Sequence, residues 1–475
     1  MRRRRRGTNT WSLIVGSLLL ALLIWQFVGY WNSLRVLPKG MTVAGLEVGG
    51  MRLDETLDRV EAGLSEPVEV TYQDRTRLLR PESVEFRFDR EGTRTAIKTA
   101  LGGRRSLEGF VAYLLRRPQQ TADVQVVAEY SQDRLEGFLT STAQQYDHPP
   151  QPPVPLPEAL TFRAGRPGYE LDHATSRERV AAALLSATER QVEVAVRVEE
   201  APALQMAQLE EMLNSLLADF DGIPSIFVKD LQNGAELEVN PDVAYAGMSV
   251  LKITVMVETY RSLDQPPNVE QTKLLTETMT LSGNFTANLL LRDVIGNGDG
   301  YQGVENLTAS MRYLGLVNTF LATPYDEEVV PPTIVTPANS RTDLNTQPDP
   351  YMQTTAQDMG LLLEMIYQCS QGGGSLMVAY PGTFTSEECQ QMLDMLSQNQ
   401  IDSLIEVGVP QGTTVAHKHG WIGDTHADAA IVFSSGGDFV LVVFLYNPTW
   451  LEWEISNPLI SDIATATYNF FNPTE

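Results

Sequence analysis

The sequence has little cysteine, little histidine and a shortage of positive charge. Its 475 residues include two cysteines and five histidines, so at most one intrachain disulfide is available. Lysine and arginine together number 35 against 60 aspartates and glutamates, which gives a formal net charge of −25 at pH 7. A surface this acidic repels phosphate backbones, so we expect no nucleic-acid partner.

One long apolar stretch stands near the N-terminus. It runs from Trp11 to Tyr30 and contains a single strongly polar side chain, Gln26. A helix of this length, at about 1.5 Å per residue, crosses a hydrocarbon core, so we predict a transmembrane helix over residues 11–31. The arginines at positions 2–6 predict that the basic tail, residues 1–10, is cytoplasmic and that the chain after Trp31 lies outside. A cleaved signal peptide is the alternative, but the stretch is long and no small-x-small cleavage site follows it.

The two cysteines, Cys369 and Cys389, both follow this helix and are therefore expected outside the membrane. A disulfide is permitted there. Each cysteine lies at the edge of a predicted helix, and the connection contains three consecutive glycines. Spacing alone does not decide whether the two pair, so both possibilities stay open.

The length predicts several domains, because a single core stops growing at about 250–300 residues. Residues 36–200 alternate short strand-like and helical runs, such as the strand predicted over Met41–Val48, and we interpret them as an α+β module. A proline-rich seam at residues 148–157 interrupts the module. No nucleophile constellation stands out in it, so a spacer that lifts the next domain off the membrane is one interpretation.

A resemblance adds a second interpretation. The glycine-rich run from Leu37 to Gly50, followed by a helix, is similar to the peptidoglycan-binding module found in membrane-anchored wall proteins associated with VanW. The later segment from Phe162 to Asp172 resembles the second half of that module. The resemblance implies that residues 36–200 lie close to peptidoglycan, without naming a ligand.

Residues 204–475 show a different pattern. A helix predicted over Leu204–Asp219 precedes two strands joined at Asn233-Gly234, a dipeptide typical of hairpin turns. Mostly helical periodicity follows, from Val250 to Leu396. Three strands are predicted near the end of the chain: Thr413–Trp421, Ala429–Phe433 and Phe439–Tyr446. The order predicts one antiparallel sheet with an all-helical subdomain.

Within this part, Ser249 and Lys252 carry the first chemical signal. Apolar residues surround the predicted helix Met248–Thr259, which is typical of a buried helix, yet Lys252 lies inside it. A buried lysine loses its proton near neutral pH and then acts as a base. Ser249 stands three residues earlier on the same face, so the pair is interpreted as nucleophile and base.

Two further motifs are weak alone. Ser282-Gly283-Asn284 precedes an apolar helix, where a hydroxyl can relay a proton and an amide can orient a carbonyl. Lys418-His419-Gly420 lies on a predicted strand, where a cation can bind a carboxylate and the glycine leaves room for a ligand.

The order of the three motifs resembles that of class A β-lactamases and penicillin-binding proteins. The resemblance covers about residues 204–470 and implies an α/β domain with an antiparallel sheet and a helical subdomain, within a multidomain chain. It implies a serine hydrolase or acyltransferase that uses no cofactor and acts on a β-lactam or a cell-wall peptide. The residues that the resemblance assigns to catalysis are Ser249, Lys252 and Ser282, and those that it assigns to substrate binding are Asn284, Lys418, His419 and Gly420. It also implies an oxyanion hole made by the N–H of Ser249 and an N–H near Trp421 or Ile422, and a loop braced by Asn288.

The sequence departs from the family pattern in ways that bear on turnover. Gly283 replaces the family's aspartate, and His419 replaces a hydroxyl residue that binds the β-lactam carboxylate. Family β-lactamases carry a glutamate three residues before the leucine of a Leu-Asn pair, and here Arg341 has that place. Asp343 is the nearest carboxylate, and Glu327 and Glu328 lie further back, so a displaced alignment of this loop would reverse the expectation that follows. We therefore expect penicillin-binding-type chemistry rather than efficient β-lactam hydrolysis.

Two alternatives remain at this stage. A peptidoglycan-binding or β-lactam-sensing protein with weak catalysis would use the same fold. Three histidines within ten residues, His417, His419 and His426, also suggest a metal site, but spacing fixes no fourth ligand, and we expect no metal.

Overall fold

The computed structural model describes residues 10–117, 123–399 and 401–473. The predicted basic tail, residues 1–10, lies outside the described part except for Thr10. The helices in chain order are α1 Thr10–Ser33, α2 Leu53–Ser65, α3 Arg90–Ala100, α4 Leu107–Leu114, α5 Gln132–Tyr146, α6 His173–Leu184, α7 Met206–Leu217, α8 Lys252–Arg261, α9 Val269–Thr280, α10 Asn284–Leu290, α11 Gly300–Tyr313, α12 Ala356–Ser370, α13 Ser375–Ala379, α14 Ser386–Leu396, α15 Ile405–Gly408 and α16 Trp453–Phe471. The strands are β1 Thr42–Val43, β2 Leu46–Glu47, β3 Val68–Tyr72, β4 Arg75–Leu79, β5 Arg87–Phe88, β6 Asp123–Val124, β7 Ala128–Glu129, β8 Val154–Leu156, β9 Thr161–Arg163, β10 Gly168–Leu171, β11 Gln191–Glu193, β12 Val196–Glu199, β13 Ile223–Asp230, β14 Glu236–Val239, β15 Tyr245–Ala246, β16 Phe320–Leu321, β17 Met352–Thr354, β18 Thr414–Trp421, β19 Thr425–Phe433 and β20 Phe439–Tyr446.

The chain forms two compact units. The first contains residues 1–151 and 166–201, and the second contains residues 152–165 and 202–475. In the first unit, the segment Ile14–Ser33 of α1 is long and apolar enough to cross a membrane by length and composition. Except for the buried Tyr30, its large apolar side chains are exposed, as they are in a helix that packs against lipid rather than a protein core.

The rest of the first unit is built from short strands and amphipathic helices. A three-stranded sheet joins β11, β3 and β4, and helices α5 and α6 contribute buried residues to the same apolar core. The strand predicted over Met41–Val48 is instead a tight hairpin, β1 paired with β2. Ala44 and Gly45 between them have φ of 52° and 77°, the left-handed geometry of a type I′ turn that reverses the chain.

The second unit contains a five-stranded sheet in the order β14-β13-β20-β19-β18. All four pairings are antiparallel, and β13 and β20 are paired over their full lengths from Ile223↔Tyr446 to Asp230↔Phe439. The predicted hairpin at Asn233-Gly234 joins β13 to β14. The predicted antiparallel sheet with a helical insert is therefore present, and β18 is its edge strand.

Two layers cover this sheet. Helices α7 and α16 pack on one face, and the helical insert, with α8 and α12 at its centre, packs on the other. The proline-rich seam also contributes here, because the hairpin of β8 and β9 packs on α7 and α16. The predicted module spans residues 36–200 without a break. In the structure, residues 152–165 of that range belong to the second compact unit.

Cys369 and Cys389 form a disulfide that joins α12 to α14. The structure thereby answers the question that spacing left open. The bond closes a loop with a sequence separation of 20 residues, for which chain entropy in the unfolded state predicts a stabilisation of about 3 kcal/mol.

We expect the double substitution Cys369→Ala, Cys389→Ala to lower the free energy of unfolding of the second unit by about 3 kcal/mol. Urea unfolding followed by tryptophan fluorescence measures this loss, with the oxidised wild type as reference. Equal midpoints and slopes for the two proteins would show that the disulfide adds no stability.

Candidate active site

Ser249 lies in a turn that leads directly into α8. Every residue from Val243 to Tyr260 is buried except Ser249, which is partly exposed. Helix α8 begins at Lys252 rather than at Met248 as predicted, because residues 248–251 form a turn with Met248 at a φ of 46°. The turn presents the Ser249 hydroxyl at the surface of an otherwise closed core.

Lys252 is fully buried and surrounded by oxygen atoms. Its Nζ lies 2.8 Å from Ser249 Oγ and 2.7 Å from Asn284 Oδ1. It also lies 2.9 Å from the carbonyl oxygen and 3.3 Å from the Oγ of Ser282. The reactive side chains of the first two motifs therefore form one cluster. The start of α8 contributes one motif, and the segment that leads into α10 contributes the other.

Burial lowers the pKa of the Lys252 ammonium to about 8, and the nearby charge of the Asp326 carboxylate opposes that decrease. The Tyr325 ring also lies under Nζ, at 4.7 Å from the ring centroid. An ammonium group with this pKa exchanges its proton near neutral pH, which suits a general base.

Gly420 explains how the third motif meets the nucleophile. A Cβ at this position would lie 2.9 Å from the backbone N of Ser249 and 3.1 Å from that of Val250. The expectation that the glycine leaves room for a ligand beside the strand stays a prediction, and the structure adds a second reason for a glycine here. The space beside it is filled by the turn that carries Ser249, so β18 and the nucleophile pack backbone against backbone.

Two backbone N–H groups at this contact lack intramolecular acceptors. Within the described part of the chain, the N–H of Ser249 donates no hydrogen bond. Ile422 N–H donates to Thr425 O at 2.9 Å, which makes these two a bonded pair of the β18–β19 ladder. The neighbouring pair, Trp421 and His426, is then non-bonded, so the Trp421 N–H points to the open edge of the sheet. The two free donors form a candidate oxyanion hole.

Lys418 and His419 lie behind this edge. Lys418 is fully buried, and its Nζ donates to the His419 carbonyl oxygen at 3.0 Å. Burial, together with the nearby charge of Lys252, lowers its pKa to about 7. His419 is buried against Asn399 and Trp421, and burial lowers its pKa to about 3, so its imidazole is neutral at pH 7.

Asn288 fixes the loop that faces the nucleophile. Its amide Nδ2 donates to Tyr325 O at 2.8 Å, and its Oδ1 accepts from Tyr325 N at 2.9 Å. The buried Tyr325 hydroxyl in turn donates to Met248 O at 3.3 Å. The loop residue held next to the nucleophile turn is therefore a tyrosine.

The hydrogen bonds from Asn288 show that the loop facing the nucleophile is the one around Tyr325, not the segment around Leu344-Asn345 that the sequence suggested. Arg341 forms ion pairs with Asp242 and Asp343, and none of these three residues lines the cleft at Ser249. Asp326, Glu327 and Asp349 do line it, and Asp326 Oδ2 accepts from Asn284 Nδ2 at 2.9 Å. Sequence reasoning missed Asp326, because no sequence pattern shows that Asn288 bonds to Tyr325, the residue before it.

The cleft beside Ser249 has a volume of about 370 Å³. Ser249 and Asn284 form its floor, the loop from Thr323 to Glu327 forms one wall, and Trp421 and Ile422 form another. Met248, Ser282 and Asp326 all have φ between 46° and 59°, a conformation that costs free energy in non-glycine residues. Left-handed non-glycine residues also occur elsewhere in the described chain, but three beside one nucleophile are consistent with a functional site.

The histidines of β18 and β19 have other partners. His417 Nδ1 lies 3.0 Å from Asp428 Oδ1, and His426 Nδ1 contacts Ser456 Oγ. Among the described residues, no group of three or more histidine, cysteine or acidic side chains is arranged to hold a metal ion. These histidines are part of the packing between the sheet and α15 and α16.

Comparison with known proteins gives one family match. The model of the "Beta-lactamase enzyme family" matches residues 208–268 and 262–471. No curated protein matches the sequence. Among solved structures, a mutant of PBP-A in an acyl-enzyme complex with penicillin G is 18% identical and covers 57% of this chain and 100% of its own, with a TM-score of 0.44.

Two further solved structures are similar to the same extent. An ancestral class A β-lactamase (GNCA) is 22% identical and covers 55% of this chain and 98% of its own, with a TM-score of 0.42. The β-lactamase from Sphaerobacter thermophilus DSM 20745 is 18% identical and covers 57% of this chain and 98% of its own, with a TM-score of 0.43.

Proposed function

This chain belongs to the beta-lactamase enzyme family, and from that membership we propose that it is a serine hydrolase whose Ser249 forms an acyl-enzyme with a β-lactam or a cell-wall peptide amide. The observation that carries the proposal is the 2.8 Å contact between Lys252 Nζ and Ser249 Oγ, with the lysine fully buried. Nucleophile and base within hydrogen-bond distance are the minimum that serine acyl transfer needs.

The proposed reaction starts with neutral Lys252, which takes the proton of the Ser249 hydroxyl. The Ser249 oxygen then forms a bond to the substrate carbonyl carbon, and the carbonyl oxygen becomes an oxyanion. The N–H groups of Ser249 and Trp421 stabilise that charge. As the amide C–N bond breaks, the leaving nitrogen receives a proton from Lys252 through the Ser282 hydroxyl, and the acyl group remains on Ser249.

We propose that water removes this acyl group slowly. The loop side chain that Asn288 holds against the nucleophile turn is Tyr325, and burial raises the pKa of its phenol well above the ordinary value. A phenol in this state does not accept a proton from water at pH 7. We therefore propose chemistry of the penicillin-binding type, with a lasting acyl-enzyme, in which Asp326 and Glu327 of the same loop do not act as the base for the deacylating water.

The N-terminal part supports a place at the cell surface. We propose that α1 anchors the protein in the membrane as a single pass, with its N-terminus in the cytoplasm and the chain after Trp31 outside. Residues 36–200, which follow this helix in the chain, would then lie outside the membrane, where a peptidoglycan-binding role fits.

The proposal is tested by labelling the detergent-solubilised full-length protein with a fluorescent penicillin. We expect covalent label on the wild type and none on Ser249→Ala, because only the Ser249 hydroxyl is activated by Lys252. The matched control is Ser262→Ala at the other end of α8, which should label like the wild type. Equal labelling of Ser249→Ala and wild type would contradict the proposed nucleophile.

Acylation should also depend on pH through Lys252. Only the neutral amine accepts the Ser249 proton, so we expect the acylation rate to rise with pH, with a midpoint near its pKa of about 8. The Asp326 charge raises that pKa, so Asp326→Asn should move the midpoint to lower pH. Stopped-flow acylation between pH 5.5 and 9.5 measures both, and an unchanged midpoint in Asp326→Asn would show that Lys252 does not control the rate.

A further inference from the structure

The walls of the Ser249 cleft carry charge of one sign. Three carboxylate side chains line it: Asp326 and Glu327 on the braced loop, and Asp349 on the segment before β17. Asp326 and Glu327 are exposed, so their charges face the space that a substrate occupies. Among the described residues that line the cleft, none is a lysine, arginine or histidine.

The cations that could offset these charges lie behind the cleft or are neutral when the site reacts. Lys418 is fully buried and donates to the His419 carbonyl. His419 is buried and neutral at pH 7 because burial lowers its pKa to about 3. Lys252 must be neutral to act as a base, so in the reactive form of the site three carboxylates line the cleft without a cation among the lining residues.

Hydrogen bonds hold one of these carboxylates close to the reacting atoms. Asn284 accepts from Lys252 Nζ at 2.7 Å and donates to Asp326 Oδ2 at 2.9 Å. Asp326 is therefore two hydrogen bonds from the base and faces the acyl part of any substrate bound at Ser249. An ammonium group on that acyl part would meet favourable charge, and a carboxylate would be repelled.

We propose that the natural acyl donor is cationic: a peptide amide or ester that carries a protonated amine close to the carbonyl attacked by Ser249. This inference rests on the proposed function, because it names the substrate class of the same nucleophile. It differs from the sequence-based expectation that Lys418 selects a substrate carboxylate, since Lys418 does not line the cleft.

The test uses three penicillins that differ only in the para substituent of a phenylacetyl side chain: aminomethyl, methyl or carboxylate. All three acylate a serine through the same β-lactam carbonyl, so their second-order rate constants report the effect of one added charge. Three carboxylates at about 9 Å in water change the rate by about tenfold per unit charge on the substrate. We expect the cation to react fastest and the anion slowest.

The double substitution Glu327→Gln, Asp349→Asn should reduce this preference to about twofold, because one carboxylate remains. Glu305→Gln, which removes an exposed charge on α11 outside the cleft, should keep it. The preference should also shrink in 1 M salt.

The two proposals fail in different ways. If none of the three penicillins acylates the wild type, the proposed serine chemistry is wrong. If all three react at equal rates, or the anion reacts fastest, the serine chemistry stands and the cationic donor is wrong. A preference that survives unchanged in the double variant would likewise overturn the assignment to these carboxylates.

Discussion

Replacing Lys252 by methionine is expected to lower the acylation rate of Ser249 by about three orders of magnitude. The amine lies 2.8 Å from Ser249 Oγ and 3.3 Å from Ser282 Oγ, so its loss removes both the base and the origin of the proton relay. A methionine has a similar length and tolerates the buried position among the apolar residues of α8. Stopped-flow acylation by a chromogenic β-lactam measures the loss.

A matched variant tests whether Lys252 acts as a base or only as a positive charge. Lys252→Arg keeps a positive charge but cannot lose it, since guanidinium stays protonated in proteins. We therefore expect Lys252→Arg to be as inactive as Lys252→Met, while thermal unfolding shows that Lys252→Met remains folded. Acylation within tenfold of the wild type in folded Lys252→Met would place the base elsewhere.

Gly420→Ala is expected to lower acylation by about 100-fold although it adds one methyl group. The added Cβ would lie 2.9 Å from Ser249 N and 3.0 Å from Met248 Cβ, so either β18 or the nucleophile turn must shift. A displacement of about 1 Å between nucleophile and oxyanion donors costs a factor of this size. The same acylation assay measures it.

A second glycine supplies the control. A Cβ at Gly373, in the loop after α12, would meet no atom within 4 Å, so Gly373→Ala should acylate like the wild type. Wild-type acylation by Gly420→Ala would show that the contact between β18 and the nucleophile turn does not set the site's geometry.

Local sequence patterns predicted much of the fold of the second unit. The turn at Asn233-Gly234 and the apolar strand Phe439–Tyr446 were both predictable, because hairpin chemistry and continuous apolar runs act over a few residues. The apolar residues around Lys252 in the sequence also predicted that its side chain is buried. The family resemblance then related residues 204–470 to one class, and the family match covers nearly the same range.

What depends on tertiary contact was not predictable. Sequence comparison placed the loop by Leu344-Asn345, whereas the structure fixes it by hydrogen bonds from Asn288 to Tyr325, 37 residues apart in the chain. The disulfide required a geometry that spacing does not encode. The burial of Lys418 likewise follows from sheet packing, since period-2 alternation does not say which face of an edge strand is covered.

The central claim, that Ser249 forms a lasting acyl-enzyme, is tested most directly by intact-protein mass spectrometry of the full chain incubated with a β-lactam and sampled over time. We expect a mass increase equal to one β-lactam that persists for many minutes, maps to the peptide containing Ser249 and is absent in Ser249→Ala. Rapid loss of the β-lactam without a persistent adduct, no adduct at all, or an adduct retained by Ser249→Ala would contradict the claim.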